Sequence, residues 1–423
     1  MRALCVSALA SNQGKSVLTM ALLHHFKESV RAFKIGPDFI DPQFHEKISS
    51  TPSINLDRFM MNDAQIKWLF ARYADKEMAI CEGVMGFYDG MDKGSSAYDV
   101  SKVLNIPTLL LLDGSSSYIT ISAVLKGLLT YTDDHTIKGV VFNKLSSPGH
   151  FELIKNQIEK DHKNIAVLGW IRQEIPSLSD THLGLDLKAM QNVQQIAKEV
   201  LKHIDTQRLN ELASNVTMPK TKPYPFDTMP KQNKKLVIVN DENFSFLYHD
   251  NKIFLEEVFS EVVYIKSTKD EPIPLDADIV YIVGGYVETA HHYKKIKHAM
   301  NFKNSLIKHA KSKPLYAECA GLLYLSNRVD DKPMSGILDL DFSLHRRFVR
   351  MGYYHSKVLG AKGHAFHYTN VLDPKWGNDI ISKDKNGSGS VGSWQKEKVF
   401  GTYLHTMLRC NPQIIKEKFL DGR

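Results

Sequence analysis

Ser7-Ala8-Leu9-Ala10-Ser11-Asn12-Gln13-Gly14-Lys15-Ser16 follows the apolar run Leu4 to Ala8 and opens a segment of helical length. A glycine-lysine-serine turn between a buried strand and a helix is where a phosphate-binding loop sits. Backbone N–H groups of the turn and the helix N-terminus face an anion, the lysine reaches the terminal phosphates, and the hydroxyl joins in binding Mg2+. Gly14, Lys15 and Ser16 occupy those places. Leu9 stands where the first glycine of the usual pattern would be, so these residues alone also fit an ordinary strand-to-helix turn. Met1 to Ala10 has an arginine ahead of its apolar stretch but is short for a secretory signal, and it reads as a buried first strand.

Moving outward, Ala32 to Ile35, Met78 to Cys81, Thr108 to Leu112, Gly139 to Phe142 and Ala166 to Leu168 repeat the short apolar run, separated by helix-length segments. That alternation predicts a doubly wound, mainly parallel sheet, an α/β fold of the P-loop type. Two polar stretches start where strands end: Lys34-Ile35-Gly36-Pro37-Asp38-Phe39-Ile40-Asp41-Pro42 after the second, and Glu82-Gly83-Val84-Met85-Gly86-Phe87-Tyr88-Asp89-Gly90 after the third. Ligands of open α/β sheets bind at these carboxyl ends, so Ser16, Asp38 and Glu82 are expected to converge on one crevice. A hydroxyl with two carboxylates is a hard-oxygen donor set suited to Mg2+ bound to ATP.

From Thr206 to Lys235 the rhythm breaks, with Pro219, Pro223, Pro225 and Pro230 among polar residues, as in an interdomain linker. The expected layout is a P-loop domain over 1–205, a linker over 206–234 and a second α/β domain over 235–423. In the latter, Lys235 to Val239, Ile279 to Val283 and Leu315 to Ala317 read as strands, with helices over Asn251 to Phe259 and Tyr293 to Lys311. Asn386 to Ser393, rich in glycine and serine, reads as an exposed loop.

Within that second domain the strand Leu315-Tyr316-Ala317 runs into Glu318-Cys319-Ala320-Gly321 and a helix start. A cysteine on such a turn gains thiolate character from the helix N-terminus. Gly284-Gly285, after strand Tyr281-Ile282-Val283, and Ala320 offer backbone N–H groups for an oxyanion site, and His405 is the candidate base. Thiolate, base and oxyanion site are the three parts that hydrolysis of the glutamine amide requires. Met407 stands two residues after His405, where an acid could complete a triad, so the sequence predicts a Cys319–His405 dyad. His345, His364 and His367 lack metal-ligand spacing or a paired cysteine, and read as structural or substrate-contacting.

The bulk numbers agree with two or three soluble domains: 423 residues, 43% hydrophobic and 24% charged, with no apolar run near the roughly 18 residues of a membrane span. Cys5, Cys81, Cys319 and Cys410 lie far apart without disulfide or metal pairing, which fits a reducing cytoplasm. The +7 formal charge is scattered; it favours small anionic ligands and does not indicate nucleic acid.

Taken in order, the degenerate P-loop, Lys34 to Pro42, Asn55-Leu56-Asp57, Glu82 to Gly90, His182 to Leu185, Phe244-Ser245-Phe246, Gly284 to Glu288, Ala317 to Leu325, Gly363 to Tyr368 and Tyr403-Leu404-His405 resemble the cobyrinic acid a,c-diamide synthase family along nearly the whole chain. The resemblance implies a dethiobiotin-synthetase-like ATP domain joined to a class I-like glutamine amidotransferase domain. Glutamine would supply ammonia, ATP would activate the c and then the a acetate of a corrin ring, and two amides would result. It further implies Lys15 on phosphate, Ser16, Asp38 and Glu82 on Mg2+, Phe39, Ile40 and Asp89 near the polycarboxylate substrate, Cys319 as nucleophile and His405 as base. Asn12, Leu9, Ala320, Val287, Thr181 and Ala365 depart from the family's usual residues; the last two bear on which tetrapyrrole is bound. Hydrogenobyrinic acid or a nickel sirohydrochlorin is the neighbouring substrate reading. A P-loop ATPase switch carrying a non-catalytic binding module is the reading of another class. A homodimer is left open.

Overall fold

The computed structural model describes residues 1–175, 192–215, 223–373, 379–383 and 389–422, with the strand pair Asp180–Thr181 and Gly184–Leu185 between the first two. His182, Leu183, Pro219 and the 386–388 part of the expected glycine-serine loop lie outside the described residues. The chain divides into two compact units, Met1–Pro225 and Phe226–Arg423.

In chain order the first unit runs β1 (Arg2–Ala8), α1 (Lys15–His25), β2 (Val30–Ile35), α2 (Ile40–Ser49), β3 (Ile54–Leu56), α3 (Asp63–Tyr73), β4 (Met78–Gly83), α4 (Ala97–Leu104), β5 (Thr108–Asp113), α5 (Ile119–Thr130), β6 (Ile137–Leu145), α6 (Pro148–Asp161) and β7 (Ala166–Arg172). The strands pair in parallel in the order β3-β2-β4-β1-β5-β6-β7. Runs such as Leu109-Leu110-Leu111-Leu112 are apolar on both faces because helices cover both sides of a parallel sheet. Two helices start where their sequences say they should: Asn62 with Gln65, and Ser96 with Asp99, form reciprocal capping boxes. The chain leaves β1 toward β4 and β2 and later returns to β1's other side with β5. The direction of winding therefore changes at β1, and the crevice this opens lies at the carboxyl end of the strand that leads into Gly14-Lys15-Ser16.

Glu82 lies on the fourth strand in chain order, because the three-residue edge strand β3 precedes it. Part of the expected linker is also regular structure. Helices α7 (Val193–Leu201) and α8 (Thr206–Leu212) follow the sheet, Asp205 caps α8 by accepting from Arg208 N, and Ser214–Asn215 pairs antiparallel with the start of β1.

The second unit carries a nine-stranded sheet. Its parallel half is Phe259–Ile265, Gln232–Val239, Ile279–Ile282, Leu315–Glu318 and Val399–Thr402; Ser390–Lys396, Asp379–Ser382, Arg350–Ser356 and Ala361–His367 extend it antiparallel. The single helix expected over Tyr293 to Lys311 is two, Ala290–Ile296 and Met300–Ala310. Tyr281, Tyr316, Phe400 and Phe419 pack against one another in the core, Tyr316 stacked on Phe400 and the other pairs tilted or edge-on. Among the described residues no helix is long and apolar enough to cross a membrane.

Candidate active sites

The turn after β1 is shaped by two residues with positive φ, Asn12 at 60° and Gly14 at 93°. A side chain at Gly14 would be strained there and would also meet Asn143, whose Nδ2 donates to Gln13 O at 2.8 Å; a Cβ would stand 2.6 Å from it. Lys15, at the first position of α1, is buried and donates from Nζ to Ala10 O at 3.0 Å. Burial pulls its pKa below the ordinary lysine range, with the Glu82 carboxylate opposing.

Ser16 Oγ lies 2.8 Å from Glu82 Oε1 and 3.3 Å from Asp41 Oδ2. Lys34, from the end of β2, is enclosed by carboxylates: Nζ is 3.2 Å from Glu82 Oε1 and 3.5 Å from Asp38 Oδ2, and it also pairs with Asp41. Burial would lower the Lys34 pKa, but Asp41, Glu82 and Asp38 outweigh it and hold the ammonium above its usual range. Glu82 is fully buried. Burial alone would raise it, yet Lys34 and the hydrogen bonds from His45 and Ser16 keep it well below the carboxylate range. His45 Nε2 lies 2.7 Å from Glu82 Oε2, and its Nδ1 lies 3.0 Å from Ser53 Oγ. Asp41 is pushed up to about 7 by burial and by the Asp38 and Glu82 charges, against the pull of Lys34.

Of the three oxygens expected to converge, those of Ser16 and Glu82 are in direct contact. Asp38 reaches the cluster through Lys34, and its other oxygen accepts from Ile40 N at 2.7 Å. Asp41 supplies the further oxygen near Ser16. In the sequence its signal is an acid beside proline, within Lys34 to Pro42, at the first turn of α2. A cation fits this donor set, and the Lys34 ammonium already lies among its three carboxylates.

Phe39 and Ile40 open α2 beside this cluster. Asp89 accepts from Gly86 N at 2.9 Å, closing the 86–89 turn. That turn is fastened to the phosphate loop: Phe87 N donates to Ala8 O at 2.9 Å, and a Cβ on Gly86 would stand 2.4 Å from Leu9 O.

In the second unit Cys319 follows strand Leu315–Glu318 and precedes helix Ala320–Leu325, with φ 53° and ψ −112°. A non-glycine residue in that region costs roughly 1–3 kcal/mol and persists only where its surroundings enforce it. Here Cys319 N donates to Thr402 O at 2.8 Å, and Gly321 allows the helix to approach Ile282 O, which a Cβ would meet at 2.5 Å. Gly284 lies against both catalytic candidates: a Cβ there would be 2.3 Å from His405 Cε1 and 3.0 Å from Cys319 Cβ. Gly285 is packed as tightly, since its Cβ would stand 2.0 Å from Asn243 O.

His405 Nδ1 lies 3.3 Å from Glu318 Oε2, and the Tyr316 hydroxyl donates to Glu318 Oε1 at 3.2 Å. An acid therefore does stand behind the histidine, supplied by the residue just before the cysteine rather than from the neighbourhood of Met407. The expected pair of Cys319 and His405 thus has a carboxylate in contact with its histidine. Burial would lower His405, but Cys319 and Glu318 outweigh it and push it up to about 9. A second histidine, His367, read from the sequence as structural or substrate-contacting and without a paired cysteine, also faces the thiol. His367 Nδ1 is 3.6 Å from Cys319 Sγ, and its Nε2 is 2.8 Å from Tyr403 O. Burial and the nearby His405 hold His367 well below the ordinary histidine range. His364 is placed differently, its backbone pairing with that of His405.

Comparison with known proteins covers both units. Residues 4–185 match the CobQ/CobB/MinD/ParA nucleotide binding domain, and residues 235–412 match the CobB/CobQ-like glutamine amidotransferase domain. The cobyrinate a,c-diamide synthase of Limosilactobacillus reuteri (strain DSM 20016) is 30% identical, over 98% of this chain and 97% of the relative. That of Caldanaerobacter subterraneus subsp. tengcongensis is 31% identical over 99% and 98%, and that of Saccharolobus solfataricus 32% over 92% and 93%.

Proposed function

The chain belongs to the cobyrinate a,c-diamide synthase family, and from that premise we propose that it converts the a and c acetate carboxylates of cobyrinic acid to amides, using ATP and glutamine, in cobalamin biosynthesis. The observation that carries the reading is the strained Cys319, set against His405 and Glu318, in the same chain as the Lys15, Ser16 and Glu82 cluster.

We assign glutamine hydrolysis to the second unit. The Cys319 thiolate attacks the amide carbon, and the backbone N–H groups of Gly284, Gly285 and Ala320 are the candidates to receive the developing oxyanion. The thiol proton, taken up by His405, passes to the departing amine, so ammonia leaves and a thioester remains. Water then releases glutamate and regenerates the thiol. Glu318 holds the Nδ1 hydrogen of His405, turning the other nitrogen to this work and stabilising the imidazolium.

We assign activation to the first unit. A carboxylate oxygen of the substrate takes the γ-phosphoryl group of ATP, giving an acyl phosphate and ADP; ammonia attacks the acyl carbon and inorganic phosphate leaves. Lys15 contacts phosphate. Ser16, Glu82 and Asp38, with Asp41, would hold Mg2+, which when bound would offset phosphate charge. Lys34 pairs with all three carboxylates and favours the ionised form of Glu82, while Phe39, Ile40 and Asp89 are the residues we assign to the substrate. A cytoplasmic setting belongs to the same proposal, supported by four free cysteines.

An acyl phosphate passes one carboxylate oxygen to phosphate for each amide made. Cobyrinic acid labelled with ¹⁸O in its acetates should therefore yield inorganic phosphate carrying one ¹⁸O per amide. Amide formation with unlabelled phosphate would rule the intermediate out.

A further inference from the structure

Glutamine hydrolysis needs one base at Cys319, yet two histidines face it. Tyr403 O can only accept, so the His367 nitrogen 2.8 Å from it, Nε2, carries the ring hydrogen. Nδ1 therefore presents its lone pair to sulfur at 3.6 Å. His405 approaches with its own Nδ1 engaged by Glu318. Sγ and one ring nitrogen from each histidine lie within 4.8 Å of one another, and all three residues are buried.

We propose that Cys319, His367 and His405 form a three-ligand site for zinc, and that zinc there switches glutamine hydrolysis off without stopping amidation driven by free ammonia. The proposal uses the glutaminase assignment for its consequence, but the binding site stands on geometry alone. One thiolate and two imidazoles are a zinc donor set, and Mg2+, which prefers oxygen, is a poor competitor for it. The spacing also agrees. A tetrahedral ion with Zn–S about 2.3 Å and Zn–N about 2.0–2.1 Å holds sulfur and nitrogen about 3.5 Å apart, against the 3.6 Å between Sγ and His367 Nδ1.

The outer groups fit equally well. Zinc-binding histidines hand their remaining N–H to a carboxylate or a backbone carbonyl, which fixes the ring and its tautomer. Glu318 and Tyr403 O provide one of each. The Glu318 carboxylate also offsets the positive charge that an ion with one thiolate would bring into a buried place. Three protein ligands leave a fourth position for water. Coordination displaces one proton from the Cys319–His405 pair and ties up the sulfur lone pair that would attack glutamine, so the bound state is inactive.

The test uses the full chain stripped with a chelator. ZnCl2 is titrated against a zinc-indicator dye, and CoCl2 against the thiolate-to-cobalt charge-transfer absorption; glutamate release and ammonia-driven amidation are followed with Mg-ATP in excess. One zinc per chain should abolish glutamate release, leave ammonia-driven amidation within about twofold, and be reversed by chelator. Cys319→Ser should lose the cobalt band. His367→Gln should weaken zinc binding by roughly 100-fold or more, and Glu318→Gln by roughly 10- to 100-fold, the usual effect of removing an outer partner. Absence of the cobalt band in the unaltered chain, zinc binding unchanged by both Cys319→Ser and His367→Gln, or glutamate release stimulated by zinc would each overturn the proposal. Binding is read optically, so a chain without glutaminase activity would refute the functional assignment and still leave the zinc site to be judged.

Discussion

Glu318 and His405, 87 positions apart in sequence, meet with Oε2 3.3 Å from Nδ1, and both are buried. The contact follows from strand register: Leu315–Glu318 pairs in parallel with Val399–Thr402, Glu318 opposite Thr402, so the residue before the cysteine arrives three positions short of the histidine. Glu318→Gln keeps the shape and removes the charge. Glutamate release should fall by up to roughly 10,000-fold, the cost of losing the orienting acid of a catalytic triad, while ammonia-driven amidation persists. Undiminished glutamate release would remove Glu318 from the mechanism.

The same contact sets a pH limit. His405 is pushed up to about 9 from an ordinary value of 6.5, burial being outweighed by Cys319 and Glu318. A group raised on folding contributes stability in full below its unfolded pKa and loses it as pH rises through the folded one. The window here runs from about 6.5 to about 9. The imidazolium that protonates the departing amine is lost over its upper end, so kcat/KM for glutamine should have an alkaline limb near pH 9. In Glu318→Gln that limb should move to lower pH. A limb that stays put would show that Glu318 does not act on the His405 charge.

Glu82→Gln removes a buried charge that faces Ser16, Lys34 and His45. With ammonia as nitrogen donor, amidation should drop by at least about 100-fold, because the proposed metal site loses a ligand of full charge. Glutamate release should be retained. Parallel loss of both activities in a folded variant, followed by circular dichroism and coupled assays, would contradict the division of labour.

Gly284→Ala would place a Cβ 2.3 Å from His405 Cε1. Something must move, and the groups in its way are the base and the nucleophile's own Cβ. Glutamate release should fall by about 100-fold or more, as when catalytic groups shift by about 1 Å, with ammonia-driven amidation unchanged. Normal glutaminase kinetics would show that this edge of the site is looser than its packing indicates.

The parallel sheet was legible because buried strands between helices are continuous apolar runs, and the phosphate loop because Gly14-Lys15-Ser16 closes one of them. Short or polar elements were not. β3 has three residues at a sheet edge, Ser214–Asn215 has two, and the antiparallel strands of the second unit mix charge with apolar residues. Asp41, Glu318 and His367 could be read as residues but not as neighbours of Ser16, His405 and Cys319, since pairings between distant strands create those contacts. One departure from the family's residues also takes on a physical meaning. The Ala365 side chain is fully buried in strand Ala361–His367, so at that position a small apolar residue meets a packing need.

The central claim, one chain that takes nitrogen from glutamine and places it on two acetates, is tested most directly by mass spectrometry. Cobyrinic acid is incubated with the protein, Mg-ATP and glutamine labelled with ¹⁵N in its side-chain amide. The account predicts a product carrying two labelled amides, and none from Cys319→Ala unless ammonia is supplied. Active glutamine hydrolysis with cobyrinic acid recovered unchanged would contradict it.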